Sequence, residues 1–390
     1  MKRFLFSLVF PSVFLFSCQH PDGRLVTPSV DPDLTPETKA LYMNLHKVAG
    51  KFIMFGQQDA LLYGAERKMG IDSEVCDIKL VTGVYPAVCG WDIGHVLENW
   101  NIDSVPFSGM IPLIKAHYSR GGINTISWHE KNPLTNHSCF DTTRVVDKLL
   151  PGGQLNGYFK ILLNHAGNFI RNLKDEEGKP IPVVFRPFHE HNGDWFWWGT
   201  KSCSPQEFIK LWRFMVHYLR DSMQIHQILY AISPDRSRMK NPCDPTDFFY
   251  AYPGDEYVDI IGLDNYWDVG RSADYISGIS GVEQDSLFLC NLRALVKAAE
   301  SRGKIAALTE TGINNYTNKQ WFTDCLIKPF KTDSLARRVV YILVWRNTSV
   351  TSYYTPYPGS PLEEDFRRFQ KDPLMVFLDR IPDFYSEKDN

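Results

Sequence analysis

Eight short apolar runs, rich in β-forming residues, constrain the fold of this chain more than any other feature. They are KFIMFGQQ (51–58), LVTGVYP (80–86), INTISWH (123–129), VVFRPFHE (183–190), QILYAIS (227–233), VDIIGLDNY (258–266), KIAALTE (304–310) and VVYILVW (339–345). Their near-continuous apolarity suits parallel strands covered on both faces. Helix-patterned segments lie between several of them. SPQEFIKLWRFMVHYLRD (204–221) opens with Ser204 as a helix N-cap and Pro205 at the first helical position. SLFLCNLRALVKAAESRG (286–303) closes on a glycine suited to a helix C-terminus. No repeat or linker interrupts residues 35–385, so one α/β domain is expected, a (β/α)8 TIM barrel. A doubly wound open sheet is the alternative, but no GxGxxG follows any of the runs.

The polar residues then fall at one end of the strands. The third run ends in Trp128-His129-Glu130 and the fourth in Arg186-Pro187-Phe188-His189-Glu190. The sixth ends in Asp264-Asn265-Tyr266-Trp267, the seventh in Thr309-Glu310-Thr311, the eighth in Trp345-Arg346-Asn347. The C-terminal rim is where a barrel of this type builds its active site.

Two glutamates there, Glu190 and Glu310, are a pair with chemical meaning. By strand alternation Val184, Arg186, Phe188 and Glu190 share one face, as do Ala306, Leu308 and Glu310. Strands four and seven face each other across a closed barrel, so the carboxyls can meet over its mouth. Cleavage of a glycosidic bond needs one carboxylic acid to protonate the leaving oxygen and one carboxylate at the anomeric carbon. Their environments must push the two pKa values apart. Read singly, either glutamate could cap a helix or pair with a surface lysine. Arg186, inward on this register, requires a buried counter-charge, and Glu310 would supply one and stay ionised.

Composition agrees. The net charge is −3 with no long basic run, which argues against a nucleic-acid partner. Aromatic residues make up 14% of the chain, with ten Trp and eighteen Tyr, enough to serve either an aromatic core or sugar-stacking platforms. Behind the fourth run, HNGDWFWWG (191–199) concentrates them. Asp194 reads equally as a loop cap or a functional group, and at least one of Trp197 and Trp198 as packing. Gly193 and Gly199 permit tight turns.

RPFHEHNGDWFWWG (186–199) and ALTETGI (307–313) resemble the acid/base and nucleophile segments of glycoside hydrolase family 26, the β-mannanase-containing family of a retaining (β/α)8 clan. The resemblance runs from Phe55–Gln58 to Trp345–Asn347. It implies retaining hydrolysis of β-1,4-mannosidic bonds, with Glu190 as acid/base and Glu310 as nucleophile. It further implies that His189 contacts the hydroxyl beside the cleaved bond and that Tyr266 orients Glu310. Trp345 would form the floor under the sugar on the non-reducing side, and Trp195 a wall on the leaving-group side. His129 and Asp264 would bind sugar hydroxyls near the reacting ring, and Arg346 would reach one ring further out. The expected partner is β-mannan or a mannooligosaccharide, acted on by a monomer. β-Glucan or β-1,3-xylan hydrolysis, or a non-catalytic glycan-binding lipoprotein, are the alternatives; the presence of both carboxylates favours an enzyme.

No cofactor is expected. His129, Glu130, His137, His189 and His191 suggest a metal, but an HExxH helix would need histidine where Gly193 stands, so none is expected there. Residues 1–18 read as a lipoprotein signal. Lys2 and Arg3 precede an apolar stretch, Phe4–Phe16, too short to span a bilayer, and Leu15-Phe16-Ser17-Cys18 resembles a lipobox with Cys18 as the acylated residue. An ordinary secretory signal containing a cysteine is the alternative. The expectation is an exported protein, lipid-anchored to a bacterial outer membrane and otherwise outside the bilayer, with residues 19–34 as a Pro-rich tether. Beyond Cys18 there are seven cysteines, with no CxxC pair; the odd number leaves at least one unpaired or bonded between molecules.

Overall fold

The computed structural model describes residues 18–19, 23–66, 75–269, 281–314 and 318–387. Residues 1–17, which carry most of the expected signal, lie outside them. The core of the fold is eight parallel strands: β1 (Ile53–Gln58), β2 (Val88–Asp92), β3 (Ile123–Trp128), β4 (Val183–Pro187), β5 (Ile228–Ile232), β6 (Ile260–Asn265), β7 (Ile305–Thr311) and β8 (Tyr341–Val344). Each pairs with its sequence neighbour, and β8 returns to β1 with Tyr341 opposite Met54, so the sheet closes. This is the (β/α)8 barrel expected from the alternation.

Seven of the eight strands lie on their expected runs. The second does not. LVTGVYP ends a helix, α1 (Asp77–Thr82), stopped by Gly83 in the left-handed region at φ 85°. The strand is the next segment, VCGWD, which the sequence reading passed over. Its interior positions are Val88, Gly90 and Asp92, and a Cβ at Gly90 would sit 2.0 Å from the Gln58 side-chain oxygen, which would have to move. A strand carrying glycine and aspartate on its inner face has little apolar signature, whereas the helix end before it is rich in β-branched residues.

Alternation along each strand splits the core in two. Val88, Ile123, Val184, Leu229, Ile260, Ala307 and Leu343 fill the barrel interior. Cys89, Ile126, Phe185, Tyr230, Ile261, Leu308 and Ile342 face outward beneath the helices. The helix expected over 204–221 spans Pro205–His217, opened by a capping box between Ser204 and Glu207. The segment 286–303 belongs to a longer helix, Gly281–Ser301.

The expected tether is in part structural. Val26, Val30 and Asp31 are buried at the N-terminal end of the barrel. The Val30 amide donates to Asp259 at 2.8 Å, and Asp31 pairs with His226 at 2.8 Å. These polar anchors, invisible to a composition argument, hold 26–31 as a plug. Cys243 and Cys290 form a disulfide that ties the β5–β6 connection to the long helix. Cys76, Cys89, Cys139, Cys203 and Cys325 form no disulfide among the described residues. No helix among the described residues is long and apolar enough to cross a membrane.

Candidate active site

Both glutamates reach the barrel mouth by irregular backbone, not by the simple alternation expected. On β4, Val184 and Arg186 face inward, but the strand stops at Pro187. Phe188 and Glu190 then adopt left-handed conformations, φ 49° and 52°. Each is a conformation that disfavours a non-glycine residue by roughly 1–2 kcal/mol. Phe188 consequently leaves the inner face and packs outward on Trp128 and Trp197, with ring centroids 5.6 and 5.7 Å apart. The Glu190 amide donates to the Ser233 carbonyl at 2.7 Å, which fixes the turn against β5.

On β7 the device is a bulge. Leu263 of β6 lies opposite Leu308, but Asp264 lies opposite Glu310, so Thr309 is an extra residue. Ala306 and Leu308 face outward, and unbroken alternation would send Glu310 outward with them. The bulge turns both Thr309 and Glu310 to the interior, a use of bulges common beside active sites.

The carboxyl groups that result form a tight set. Glu190, Asp264 and Glu310 each place an oxygen within 4.8 Å of the others. Arg186 sits beneath them, donating to Asp264 at 2.8 Å and to Glu310. The Tyr266 hydroxyl donates to the other oxygen of Glu310 at 2.9 Å, and the Trp195 indole donates to Glu190 at 2.7 Å. The trio has the donor set of a cation site, but Arg186 already supplies positive charge to two of its members. A second such group, Asp31, Asp33 and His226, belongs to the plug at the other end of the barrel.

Electrostatics separate the groups. Burial pushes the Glu190 carboxyl well above the usual carboxylate range, and Asp235, Asp264 and Glu310 add to the effect by repulsion. The two central histidines, rings 4.4 Å apart, diverge. Burial works against a charge on His129, but the Asp92 carboxylate, 2.7 Å from Nδ1, outweighs it and raises the pKa. Burial, with the charges of Arg186 and His129, drives His189 well below its ordinary value. His129 thus directs Nε2 away from Asp92, and neither ring nitrogen of His189 is bonded to protein among the described residues.

A cavity of about 340 Å³ opens over this set, and six expected residues besides Glu310 line it: His129, His189, Glu190, Trp195, Tyr266 and Trp345. Two lie elsewhere. Asp264 is fully buried one layer below, its oxygens taken by Arg186, Ser233 and Thr309. It therefore holds Arg186 in place and does not face a sugar, a correction to the expected contact. Arg346 lies outside the cavity, paired with Asp103 at 2.7 Å and stacked over Tyr63. Trp197 and Trp198 are both packing residues, buried, with indoles donating to the carbonyls of Glu130 and His189. Asp194 is exposed and paired with Arg238 at 2.8 Å. Gly199 is needed for close approach, since a Cβ there would lie 2.4 Å from the Gly193 carbonyl.

The sequence reading missed several groups. Phe140, exposed and stacked on Phe196, lines the cavity from the loop after β3. Asp235 and Ser237 line it from the loop after β5, and Tyr354 from the loop after β8. Pro-Asp directly behind the fifth run was the available signal for Asp235, being the same strand-end position used elsewhere. Asp92, which fixes His129, stood on the strand that was misplaced.

Paired carboxyls over a sugar-sized cavity at the C-terminal rim of a (β/α)8 barrel are the arrangement of a glycoside hydrolase. Residues 30–328 match the family described as glycosyl hydrolase family 26, and the chain belongs to that family. It is 35% identical over 380 residues to a mannan endo-1,4-β-mannosidase of Bifidobacterium adolescentis, which covers 92% of this chain and 36% of that protein. A Bacillus subtilis mannan endo-1,4-β-mannosidase is 34% identical over 55% of this chain and 60% of its own length. The chain therefore spans less than two thirds of either curated relative. Among solved structures, a family 26 β-mannanase from Bacteroides ovatus superposes with a TM-score of 0.82 at 33% identity, over 91% of this chain and 99% of that one.

Proposed function

We propose that this chain is a retaining β-mannanase, hydrolysing β-1,4-mannosidic bonds through a covalent glycosyl-enzyme intermediate. The observation that carries the reading is that Glu190 and Glu310 bring carboxyl oxygens to within 4.8 Å of each other in one cavity, near enough for both to serve one sugar carbon as in retaining enzymes. Glu310, held by Arg186 and Tyr266, attacks the anomeric carbon. As the glycosidic C–O bond breaks, Glu190 gives its proton to the departing oxygen. Glu190, now a carboxylate, takes a proton from water; the water oxygen attacks the same carbon and frees Glu310.

The surrounding groups suit a mannose ring. The imidazole of His189, which lines the cavity, would partner the axial 2-hydroxyl, and His129 would offer Nε2 to a neighbouring hydroxyl. Trp345 supports the sugar on the non-reducing side and Trp195 the leaving-group side. Arg346, oriented by Asp103 and Tyr63, serves the next ring out. Both curated relatives are named mannan endo-1,4-β-mannosidases, which supports this substrate over glucan or xylan.

Incubation with linear β-1,4-mannan tests the reading: reducing ends appear, and NMR before mutarotation shows the β anomer. Product of inverted configuration, or no cleavage of mannan, overturns it. The first eighteen residues support export and acylation at Cys18, anchoring the enzyme to the outer membrane. Cys18→Ala should then move the protein from the membrane fraction to the soluble one; unchanged partitioning would reject the anchor.

A further inference from the structure

The acid Glu190 has a neighbour that the two-carboxylate mechanism leaves unused. Asp235 follows β5 and lines the same cavity. Its backbone is locked to the acid-bearing loop: the Asp235 amide donates to Asn192 Oδ1 at 2.7 Å, and Asn192 Nδ2 donates to the Asp235 carbonyl at 2.8 Å. One side-chain oxygen, Oδ1, accepts from the Ser237 amide and hydroxyl. No described protein group donates to the other, Oδ2, although the residue is 8% exposed. A carboxylate with one oxygen satisfied by protein and the other open to a cavity can accept from a ligand there.

The position of that acceptor assigns its ligand. The acid must lie beside the oxygen that departs, so residues just beyond it face the departing sugar. Glu190, Trp195, Asp235 and Arg238 occupy that sector: Trp195 bonds Glu190, and the Arg238 guanidinium lies 5.3 Å from the Trp195 ring. Trp345 follows β8, which lies across the closed barrel from β4. We propose that Asp235 is a specificity residue of the leaving-group half of the cleft, accepting a hydroxyl of the sugar that departs. It rests on the glycosidase reading above and deepens it.

Asp235 acts on Glu190 by charge as well. It is the largest of the neighbouring charges that hold the acid's proton on, ahead of Asp264 and Glu310. Facing Asp235 itself are Arg238, whose charge opposes burial, and Glu310, whose charge reinforces it. Replacing Asp235 with a neutral group must therefore lower the pKa of Glu190.

Asp235→Asn in the full chain, with Asp235→Ala beside it, tests this. Asparagine keeps an oxygen for Ser237 and leaves the backbone lock untouched. We expect kcat/KM on mannopentaose to fall about ten- to hundredfold, the worth of a hydrogen bond to a charged group. Hydrolysis of an activated aryl β-mannobioside, whose leaving group has no sugar hydroxyls, should fall less than about threefold. The two are compared well below the alkaline limb, where Glu190 is protonated in either protein, so that the ratio reports the contact alone. The alkaline limb of the pH profile should itself move to lower pH. Equal losses on the two substrates, or an unmoved limb, overturn the proposal. A wild type that cleaves no mannan fails the enzyme reading instead, a separate result.

Discussion

The ends of β4 and β7 deliver one carboxyl each to the same cavity, and they do so in opposite ways. Glu310 remains on its strand, turned inward by one extra residue, and meets a cation and a phenol. Glu190 has left its strand through two left-handed residues and meets a single neutral donor, the Trp195 indole, among acidic neighbours. Burial beside other carboxylates favours the neutral form of Glu190. Chemically identical side chains thereby meet the different surroundings that the proposed nucleophile and acid require. The local backbone chooses which charges each one faces.

Removing the carboxyls should break this comparison unequally. Glu310→Ala deletes the bond-forming group and should lower turnover on every substrate, by at least about 10⁴-fold, as for other covalent catalysts. Circular dichroism should show a folded protein, although Arg186 keeps only Asp264 as a buried counter-charge. Residual mannan turnover within tenfold of wild type would reject the nucleophile. Glu190→Ala should cost about 10²–10⁴-fold on mannan, the range of general acid catalysis. On an aryl mannoside with a good leaving group its first step should be nearly spared. Azide, which needs no general base, should then accelerate turnover of the Glu190→Ala enzyme by taking the place of water. Equal losses on both substrates without azide rescue would place the acid elsewhere.

The difference between the two ends also explains what could be read in advance. The barrel, the rim and both glutamates were legible because strand periodicity and strand-end polarity are local properties of sequence. The route by which the glutamates face inward was not. A bulge at Thr309 and left-handed Phe188 and Glu190 arise where tertiary contacts, the Asp264–Thr309 hydrogen bond and the Glu190–Ser233 backbone bond, override alternation. A register error on β7 and a misjudged strand end on β4 gave the right face for Glu310 and Glu190 for the wrong reason. Asp264 was misjudged for a related cause: an aspartate at a strand end has the same sequence signature whether it lines the cavity or lies a layer below. Only the depth set by Arg186 distinguishes the two. The second strand failed because its inner residues, Gly90 and Asp92, are chosen by close packing and by His129, not by hydrophobicity.

The finest adjustment in the comparison is the indole over Glu190. Trp195 Nε1 donates to the carboxyl at 2.7 Å and favours its charged form, opposing the burial that raises it. Trp195→Phe retains a ring for the leaving sugar but removes the donor. The pKa of Glu190 must then rise further, and because the acid works in its protonated form, the alkaline limb of kcat/KM moves to higher pH. A hydrogen bond of about 1 kcal/mol corresponds to a displacement of somewhat under one pH unit. This shift has the opposite sign to that expected for Asp235→Asn, so the two variants, titrated side by side, bracket the wild-type limb. A Trp195→Phe limb that stays in place or moves down would mean that the limb reports a group other than Glu190.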